Sequence, residues 1–465
     1  MAFVQAKCTN CGGTLRVDET KDAWMCDYCS SPFVVEKAIN NYNNYVTNNN
    51  TIYADTVIVN DSSKDFEIRG GVLLKYNGSS TYASIPDTVT HIGETAFSNC
   101  YGLKEVIIPN SVVEIGRSAF SGCKNLSSIN LPVNLTEIGD YAFWGCKNLH
   151  SLVIPDSVIW IGEYAFGNCE KISSINIPDG IKKIEQYTFS KCSKLKSIKI
   201  PNSVTEIGLG AFCNCTKLKT VNIPDKVQII NCKTFYECSS LQSINIPNDV
   251  TEIADDAFTG CTGLQSITLP NSITHVKQWF NNLPNLKSLT IPNGITNINY
   301  AFQGCTSLQS VIIPDSVTDM DYAFRGCTSL LSATISNSVT KMICSFSNCI
   351  NLQSVDIPFG VTDISCAFWE CESLQSVNLP DSILNIDGAF KGCTGLQSVN
   401  IPPSANWVHD PFKGCSESLI IEGSNLEHLK GIALLSKRDA DFKCLRCGGD
   451  LTFIFARCKK CRRFN

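Results

Sequence analysis

Four Cys-x-x-Cys pairs lie near the two ends of the chain and could bind metal. The pairs are Cys8 with Cys11, Cys26 with Cys29, Cys444 with Cys447, and Cys458 with Cys461. Two such pairs can direct four thiolates at one tetrahedral ion, and the Gly-Gly dipeptide after the first pair at each end permits a tight turn. Since four cysteine ligands leave no open position for an activated water, the spacing predicts two zinc ribbons with one structural zinc ion each. Iron in a rubredoxin-like site is the alternative that these ligands allow.

Catalytic motifs are missing from the rest of the sequence. The phosphate-binding motif Gly-x-x-x-x-Gly-Lys and the nucleophile motif Gly-x-Ser-x-Gly do not occur. The five histidines are scattered without a recurring partner: His91, His150, His275, His409 and His428. We therefore expect a protein that is not an enzyme.

The net charge of −5 excludes a nucleic-acid binder that acts through bulk positive charge. Residues 441–465 are nevertheless basic, with seven Lys and Arg against two Asp. A nucleic-acid-associated adaptor is thus an alternative function, with phosphate contacts from Arg457, Lys459, Lys460, Arg462 and Arg463.

Internal repeats must position whatever this chain uses for binding. A unit that begins Ile85-Pro86-Asp87 recurs every 23 residues, and every 22 residues after Leu269, which gives about 15 coils up to Gly423. Each coil contains an alternating Leu-x-x-Val-x-Ile segment, which predicts a half-buried strand, and an Ala-Phe-x-x-Cys segment that returns the chain. Fifteen of the 23 phenylalanines share one position in the coil, so neighbouring coils must bury one another's rings. The repeats predict a solenoid with a parallel sheet.

The coil Ile-Pro-x-Ser-Val-x-x-Ile-Gly-x-x-Ala-Phe-x-x-Cys-x-x-Leu-x-x-Val-x, as in residues 108–130, resembles the BspA-type leucine-rich repeat. The stretch from Phe66 to Gly78 also resembles the strand-rich cap of that family. The resemblance implies a right-handed coil with the parallel β-sheet on its concave face, flanked here by N- and C-terminal zinc ribbons. It also implies a macromolecular recognition scaffold, most simply for protein–protein interaction, with a surface adhesin as a further alternative.

The other cysteines divide into a column and four that lie off it. Fourteen occupy one position in the coil, and Leu283 stands there in the ninth coil, which predicts free thiols buried beside the phenylalanines. A ladder of disulfides between coils is the alternative. The four cysteines off the column are Cys213, Cys232, Cys344 and Cys366.

Two surfaces could contact a partner. The exposed strand position is Ser in twelve coils, and such a uniform column predicts a hydrogen-bonding ladder between coils rather than a selective contact. Aromatic residues are better anchors because interface hot spots favour Trp, Tyr and Arg. Those of the return segments are Tyr141, Trp144, Trp160, Tyr164 and Tyr187, which we predict as partner contacts. The alternative is that these rings only cover the edge of the core.

The predicted domain organisation has six parts. An N-terminal zinc ribbon at 1–37 is followed by an Asn-rich linker at 38–60 and a cap at 61–84. The solenoid covers 85–423, a C-terminal cap or linker covers 424–440, and the basic zinc ribbon covers 441–465. The sequence shows no signal peptide and no apolar run of about 18 residues, so it predicts a cytoplasmic protein without a membrane span.

Overall fold

A computed structural model describes residues 65–422, with the exception of position 408, and the backbone of six short strands outside that range. The chain divides into two compact units, at residues 1–63 and 64–465. The predicted linker at 38–60, the segment at 424–440 and the side chains of the eight predicted metal ligands lie outside the described residues.

Antiparallel hairpins occur near both ends of the chain. In residues 1–63, Phe3–Lys7 pairs with Thr14–Asp18, and Ala23–Met25 pairs with Pro32–Val34. Near the other end, Leu451–Thr452 pairs with Arg457–Cys458.

Residues 65–422 form the predicted repeat solenoid of about 15 coils, in which each coil adds short parallel strands to those of the previous coil. The first ladder of strands follows the alternating segment of each coil, where a buried residue lies between exposed ones, as in Glu105–Ile107. Its strands are Tyr82–Ser84, Glu105–Ile107, Ser128–Ile129, Ser151–Leu152, Ser174–Ile175, Ser197–Ile198, Thr220–Val221, Ser243–Asn245, Ser266–Thr268, Ser288–Thr290, Ser310–Ile312, Ser332–Thr334, Ser354–Asp356, Ser376–Asn378, Ser398–Asn400 and Ile420–Glu422.

The first ladder is interrupted four times before Ser310 and is continuous from there to Glu422. Its strands group as three, two, two and three before the last six form one sheet. At three places in the 23-residue coils, Asn130, Asn176 and Asn222, an asparagine side chain makes the contact at the strand end. The Ile154 N–H donates to Asn176 Oδ1 at 2.7 Å, and Asn176 Nδ2 donates to the Ile154 carbonyl at 2.8 Å. In later coils the backbone makes this contact itself, as between the Ile313 N–H and the Thr334 carbonyl at 2.8 Å. The predicted sheet is therefore present as five segments.

A second ladder, which the repeat pattern did not predict, lies at the Ile-Gly segment of the coil. It starts from an antiparallel pair, Phe66–Arg69 with Val72–Tyr76, whose register shifts between Glu67 and Ile68. Its two-residue parallel strands are His91–Ile92, Glu114–Ile115, Glu137–Ile138, Trp160–Ile161, Lys183–Ile184, Glu206–Ile207, Ile229–Ile230 and Glu252–Ile253. From His275 onward the ladder continues as single bridges.

Glycine after the second-ladder isoleucine lets adjacent coils approach closely. A Cβ atom added at Gly139 would lie 2.7 Å from the Arg117 nitrogen of the preceding coil. The 22-residue coils have one residue fewer between this isoleucine and the Ala-Phe pair, and the change coincides with the reduction of the ladder to bridges. The ninth coil, at the transition, carries a 3₁₀ turn at Gln278–Phe280 and a buried Trp279.

The phenylalanines form a continuous stack through the core, as the repeat predicts. Successive rings from Phe97 to Phe412 are stacked at 4.8–6.1 Å between centroids. Tyr76 closes the stack at its start, 5.0 Å from Phe97. Because each ring contacts the coils on both sides, no coil buries its core alone.

The cysteine column lies beside this stack with free thiols. Twelve of its 14 members are buried, and the thiol of each donates to the phenylalanine carbonyl of the preceding coil, as from Cys215 Sγ to the Phe189 oxygen at 3.1 Å. Burial raises the pKa of Cys192 and of Cys371 to about 12. The column therefore holds neutral thiols as hydrogen-bond donors, and the disulfide ladder is absent from the described residues.

The predicted serine hydrogen-bonding ladder is wrong in its position. Serines of the strand column, such as Ser174, point outward, and no hydrogen bond from their hydroxyls occurs between residues 65 and 422. The serine of the Pro-x-Ser segment makes the contact between coils instead. The Ser203 hydroxyl donates to the Ile181 carbonyl at 2.7 Å, and that of Ser382 donates to the Val361 carbonyl at 2.7 Å.

Candidate interaction surface

One position of the coil holds the predicted tyrosines in a left-handed backbone conformation. The residue before the Ala-Phe or Thr-Phe pair has φ of 56° at Tyr141 and 53° at both Tyr164 and Tyr187. This backbone turns the chain sharply over the core, and successive side chains at the position therefore lie directly above one another. Non-glycine residues adopt this conformation only at a cost, so the surrounding coil must impose it.

Tyr141, Tyr164 and Tyr187 form a tyrosine stack. The centroids of Tyr141 and Tyr164 are 4.8 Å apart at an interplanar angle of 7°, and those of Tyr164 and Tyr187 are 4.7 Å apart at 17°. All three side chains are partly exposed. Partial burial is the main cause that raises the pKa of Tyr164, so its phenol is neutral at physiological pH. The stack is a rigid apolar surface edged with hydroxyl groups.

Different groups close the two ends of the stack. The Arg117 guanidinium lies 6.0 Å from the Tyr141 ring centroid, at the limit of a cation–π contact. At the other end the Tyr187 ring occupies the space above Gly210, where an added Cβ atom would lie 2.3 Å from the ring. A glycine is required at this position because any side chain would displace Tyr187.

The two predicted tryptophans occupy different parts of the coil. Trp144 is 40% exposed and lies across Gly167 of the next coil, where its Cδ1 atom is 3.0 Å from the position of an added Cβ. Trp160 is 39% exposed and belongs to the second ladder, where it pairs with Glu137 beside the exposed Ile159. The structure thus stacks the three tyrosines on one another and places each tryptophan at a separate position.

A second tyrosine pair occupies the same column later in the solenoid. Tyr300 and Tyr322 stack at 4.7 Å and 8°. The next two coils carry Cys344 and Cys366 in this column, both with φ of 53°. Interaction with the neighbouring Cys344 thiol is the main cause that raises the pKa of Tyr322 to about 12.

A basic face that the sequence analysis missed lies on the strand side of the fourth to sixth coils. Lys171, Lys194 and Lys217 repeat in one exposed column, and Lys196 and Lys219 repeat in another. Within residues 65–422 none of these five lysines forms a salt bridge. An open groove of about 640 Å³ lies on the same coils, and its charged lining residues are Asp156, Asp179 and Lys199. The signal was present in residues 182–233, which hold ten lysines against three acidic residues.

The predicted zinc ligands lie outside the residues whose side chains are described. Between residues 65 and 422, no cluster of three or more His, Cys, Asp or Glu side chains has the arrangement of a metal site. Among the described residues, none lies in a helix with the length and apolar character that a membrane crossing requires.

The stacked coils, the two parallel ladders and the phenylalanine core define a leucine-rich-repeat solenoid. The model of the BspA type leucine rich repeat region matches residues 73–195, 121–241, 228–343, 276–386 and 320–434. These matches extend over most of the chain, which therefore belongs to the BspA-type leucine-rich-repeat family.

Solved structures of bacterial leucine-rich-repeat proteins are similar to this chain. A leucine-rich repeat protein from Bacteroides ovatus is 29% identical, covers 81% of this chain and 100% of its own, and superposes with a TM-score of 0.67. A leucine rich cell surface protein from Faecalibacterium prausnitzii is 26% identical over 82% of this chain and 98% of its own, with a TM-score of 0.42. The leucine-rich-repeat protein of T. pallidum is 30% identical over 43% of this chain and 89% of its own, with a TM-score of 0.34. No curated protein sequence matches the chain.

Proposed function

We propose that this chain is a non-enzymatic recognition scaffold that binds a protein partner through the aromatic side of its solenoid. The observation that carries the proposal is the tyrosine stack, in which the centroids of successive partly exposed rings lie 4.7–4.8 Å apart. Rings that are already ordered lose little conformational entropy on binding, and tyrosine offers both an apolar face and a hydroxyl. Trp144 and Trp160 add exposed aromatic surface on the same group of coils.

Substitution of the middle ring tests the contact. In Tyr164→Ala the stack loses its central member, so we expect capture of the partner from the native cell, measured by quantitative mass spectrometry, to fall strongly. Tyr101→Ala is the matched control because Tyr101 is 51% exposed and lies outside the stack. Equal capture by wild type, Tyr164→Ala and Tyr101→Ala would exclude the stack as the contact.

The same capture experiment distinguishes the other two roles. Capture that depends on nucleic acid, falls steeply with salt and is lost when residues 441–465 are removed would indicate a nucleic-acid-associated adaptor. Recovery of the chain outside the cell with oxidised ribbon cysteines would indicate a surface adhesin instead of a cytoplasmic protein.

We further propose that the Cys-x-x-Cys pairs form two zinc ribbons. Support comes from the backbone hairpins around the N-terminal pairs: Lys7 is opposite Thr14 and Met25 is opposite Pro32, so residues 8–13 and 26–31 connect paired strands. A Cys-x-x-Cys in the connection of a hairpin is the arrangement that a four-cysteine zinc site needs from each half. When bound, the zinc would stabilise the fold of these short segments and supply no catalytic step.

A further inference from the structure

Two of the cysteines off the buried column occupy equivalent places in adjacent coils. Cys344 and Cys366 both have φ of 53° and both donate their backbone N–H at 2.9 Å to a carbonyl of the following coil, those of Ser365 and Asp387. Their backbones are therefore related by a step of one coil. Adjacent parallel strands lie about 4.8 Å apart, within the roughly 4.4–6.8 Å between Cα atoms that a disulfide spans.

The Cys366 thiol lies toward the next coil of the column. A Cβ atom added at Gly388, the next residue of the column, would lie 3.3 Å from Cys366 Sγ. The Cys366 thiol also donates to the Asp387 carbonyl, at 3.8 Å. Partial burial is the main cause that raises the pKa of Cys366 to about 11, and the nearby Cys344 thiol adds to the shift.

Accessibility separates this pair from the buried cysteine column. Both Cys344 and Cys366 are partly exposed. Almost all thiols of the buried cysteine column are inaccessible and donate hydrogen bonds to phenylalanine carbonyls, as Cys349 Sγ does to the Phe324 oxygen at 3.2 Å. An oxidant in solution can therefore reach Cys344 and Cys366 without opening the core.

We propose that Cys344 and Cys366 are a redox-active pair that a small-molecule disulfide such as oxidised glutathione converts into a disulfide between two coils. One cysteine attacks a sulfur of the oxidant as its thiolate, which forms a mixed disulfide and releases one thiol. The second cysteine loses its proton and attacks the protein sulfur of that mixed disulfide, which releases the second thiol. The protein loses two hydrogens, and the oxidant is reduced to two thiols.

Peptide mapping of the full-length, metal-loaded chain tests the pair. After exposure to oxidised glutathione, alkylation of free thiols and digestion without reductant, we expect a peptide that links Cys344 to Cys366 and is lighter by two hydrogens. Cys344→Ser and Cys366→Ser should each abolish the link and instead leave glutathione on the remaining cysteine. Partly exposed Cys232 is the internal control, and we expect it to carry glutathione without a link.

A gain-of-function variant keeps the proposal testable if a single serine substitution perturbs the fold. In Cys344→Ser with Gly388→Cys, Cys366 should link to the introduced cysteine because the column directs its sulfur there. Independent glutathione adducts on Cys344 and Cys366 in the wild type, with no linked peptide, would overturn the proposal. So would links between members of the buried column at the same dose of oxidant.

Discussion

At the scale of single residues, the thiol of each buried cysteine in the column donates a hydrogen bond to a phenylalanine carbonyl of the preceding coil. The phenylalanine carbonyl already accepts the backbone N–H of the cysteine in its own coil, as at Phe189, and takes the thiol of the next coil as a second donor. A thiol is apolar enough to be buried beside the aromatic stack and polar enough to satisfy that oxygen. Leu283 fills the same space in the ninth coil without a donor.

Removal of one ring from the core should be costly. Phe189→Ala deletes a side chain that is 1% exposed and stacks at 5.7 Å on Phe166 and 5.6 Å on Phe212. We expect the free energy of unfolding, measured by urea titration followed by circular dichroism, to fall by about 3–5 kcal/mol.

A phenylalanine outside the stack provides the matched control for that loss. Phe359 is 71% exposed, so Phe359→Ala should change the free energy of unfolding by less than about 0.5 kcal/mol. Equal effects of the two substitutions would mean that the stack is not the source of stability.

At the scale of elements, the two kinds of coil hold their strands together differently. Ser151–Leu152 and Ser174–Ile175 pair through the backbone, and the Asn176 side chain extends that contact to Ile154. In the last six strands of the first ladder the backbone alone makes the whole contact. An asparagine side chain can take this place because its amide presents the same donor and acceptor as a peptide group.

Substitution of Asn176 tests this contact, and Asn378, whose side chain makes no hydrogen bond within residues 65–422, is the control. Asn176→Ala leaves the N–H and carbonyl of the buried Ile154 without these partners, so we expect a loss of about 1–3 kcal/mol in the free energy of unfolding. Asn378 occupies the same coil position in the continuous sheet, and Asn378→Ala should have an effect below about 0.5 kcal/mol. Similar urea midpoints for both variants would contradict the bridging role.

The repeat period predicted the coils and the phenylalanine core but not the second ladder. A strand is predicted from sequence when apolar and polar residues alternate over four or more positions. The second-ladder strands, such as Glu137–Ile138, are only two residues long and are too short to show that pattern. The spacing of 23 residues predicts the tyrosine column. The stacking of its rings depends on the left-handed backbone at Tyr141, Tyr164 and Tyr187, and no local sequence motif predicts that conformation. Charge along the chain would have revealed the basic face, because its lysines repeat at the coil period.

At the scale of the whole molecule, stability is distributed along the solenoid while the ends depend on short hairpins. The Phe3–Lys7 and Thr14–Asp18 hairpin and its neighbours are only two to five residues per strand. Pairs of strands this short are marginal in water unless something else holds them. A bound metal ion would supply that stabilisation.

Metal content and its removal test the proposed ribbons. We expect native mass spectrometry of the intact chain to give two zinc ions, and Cys447→Ser to give one, because each site needs all four thiolates. Cys215→Ser is the control, since Cys215 lies in the buried column and its substitution should leave both ions in place. A metal count of zero in the wild type would refute both ribbons, and iron in place of zinc would change the assignment of the ion.

Among the described residues, the strand Phe66–Arg69 is the outermost strand of its sheet, and its pairing with the next strand is irregular. An open sheet edge on a repetitive fold is a template onto which another molecule can add its own strands and grow a fibre. Here the edge is only four residues long, its pairing is broken between Glu67 and Ile68, and the charged side chains of Glu67 and Arg69 are exposed along it. Short length, exposed charge and an irregular register are features by which sheet edges resist the addition of further strands.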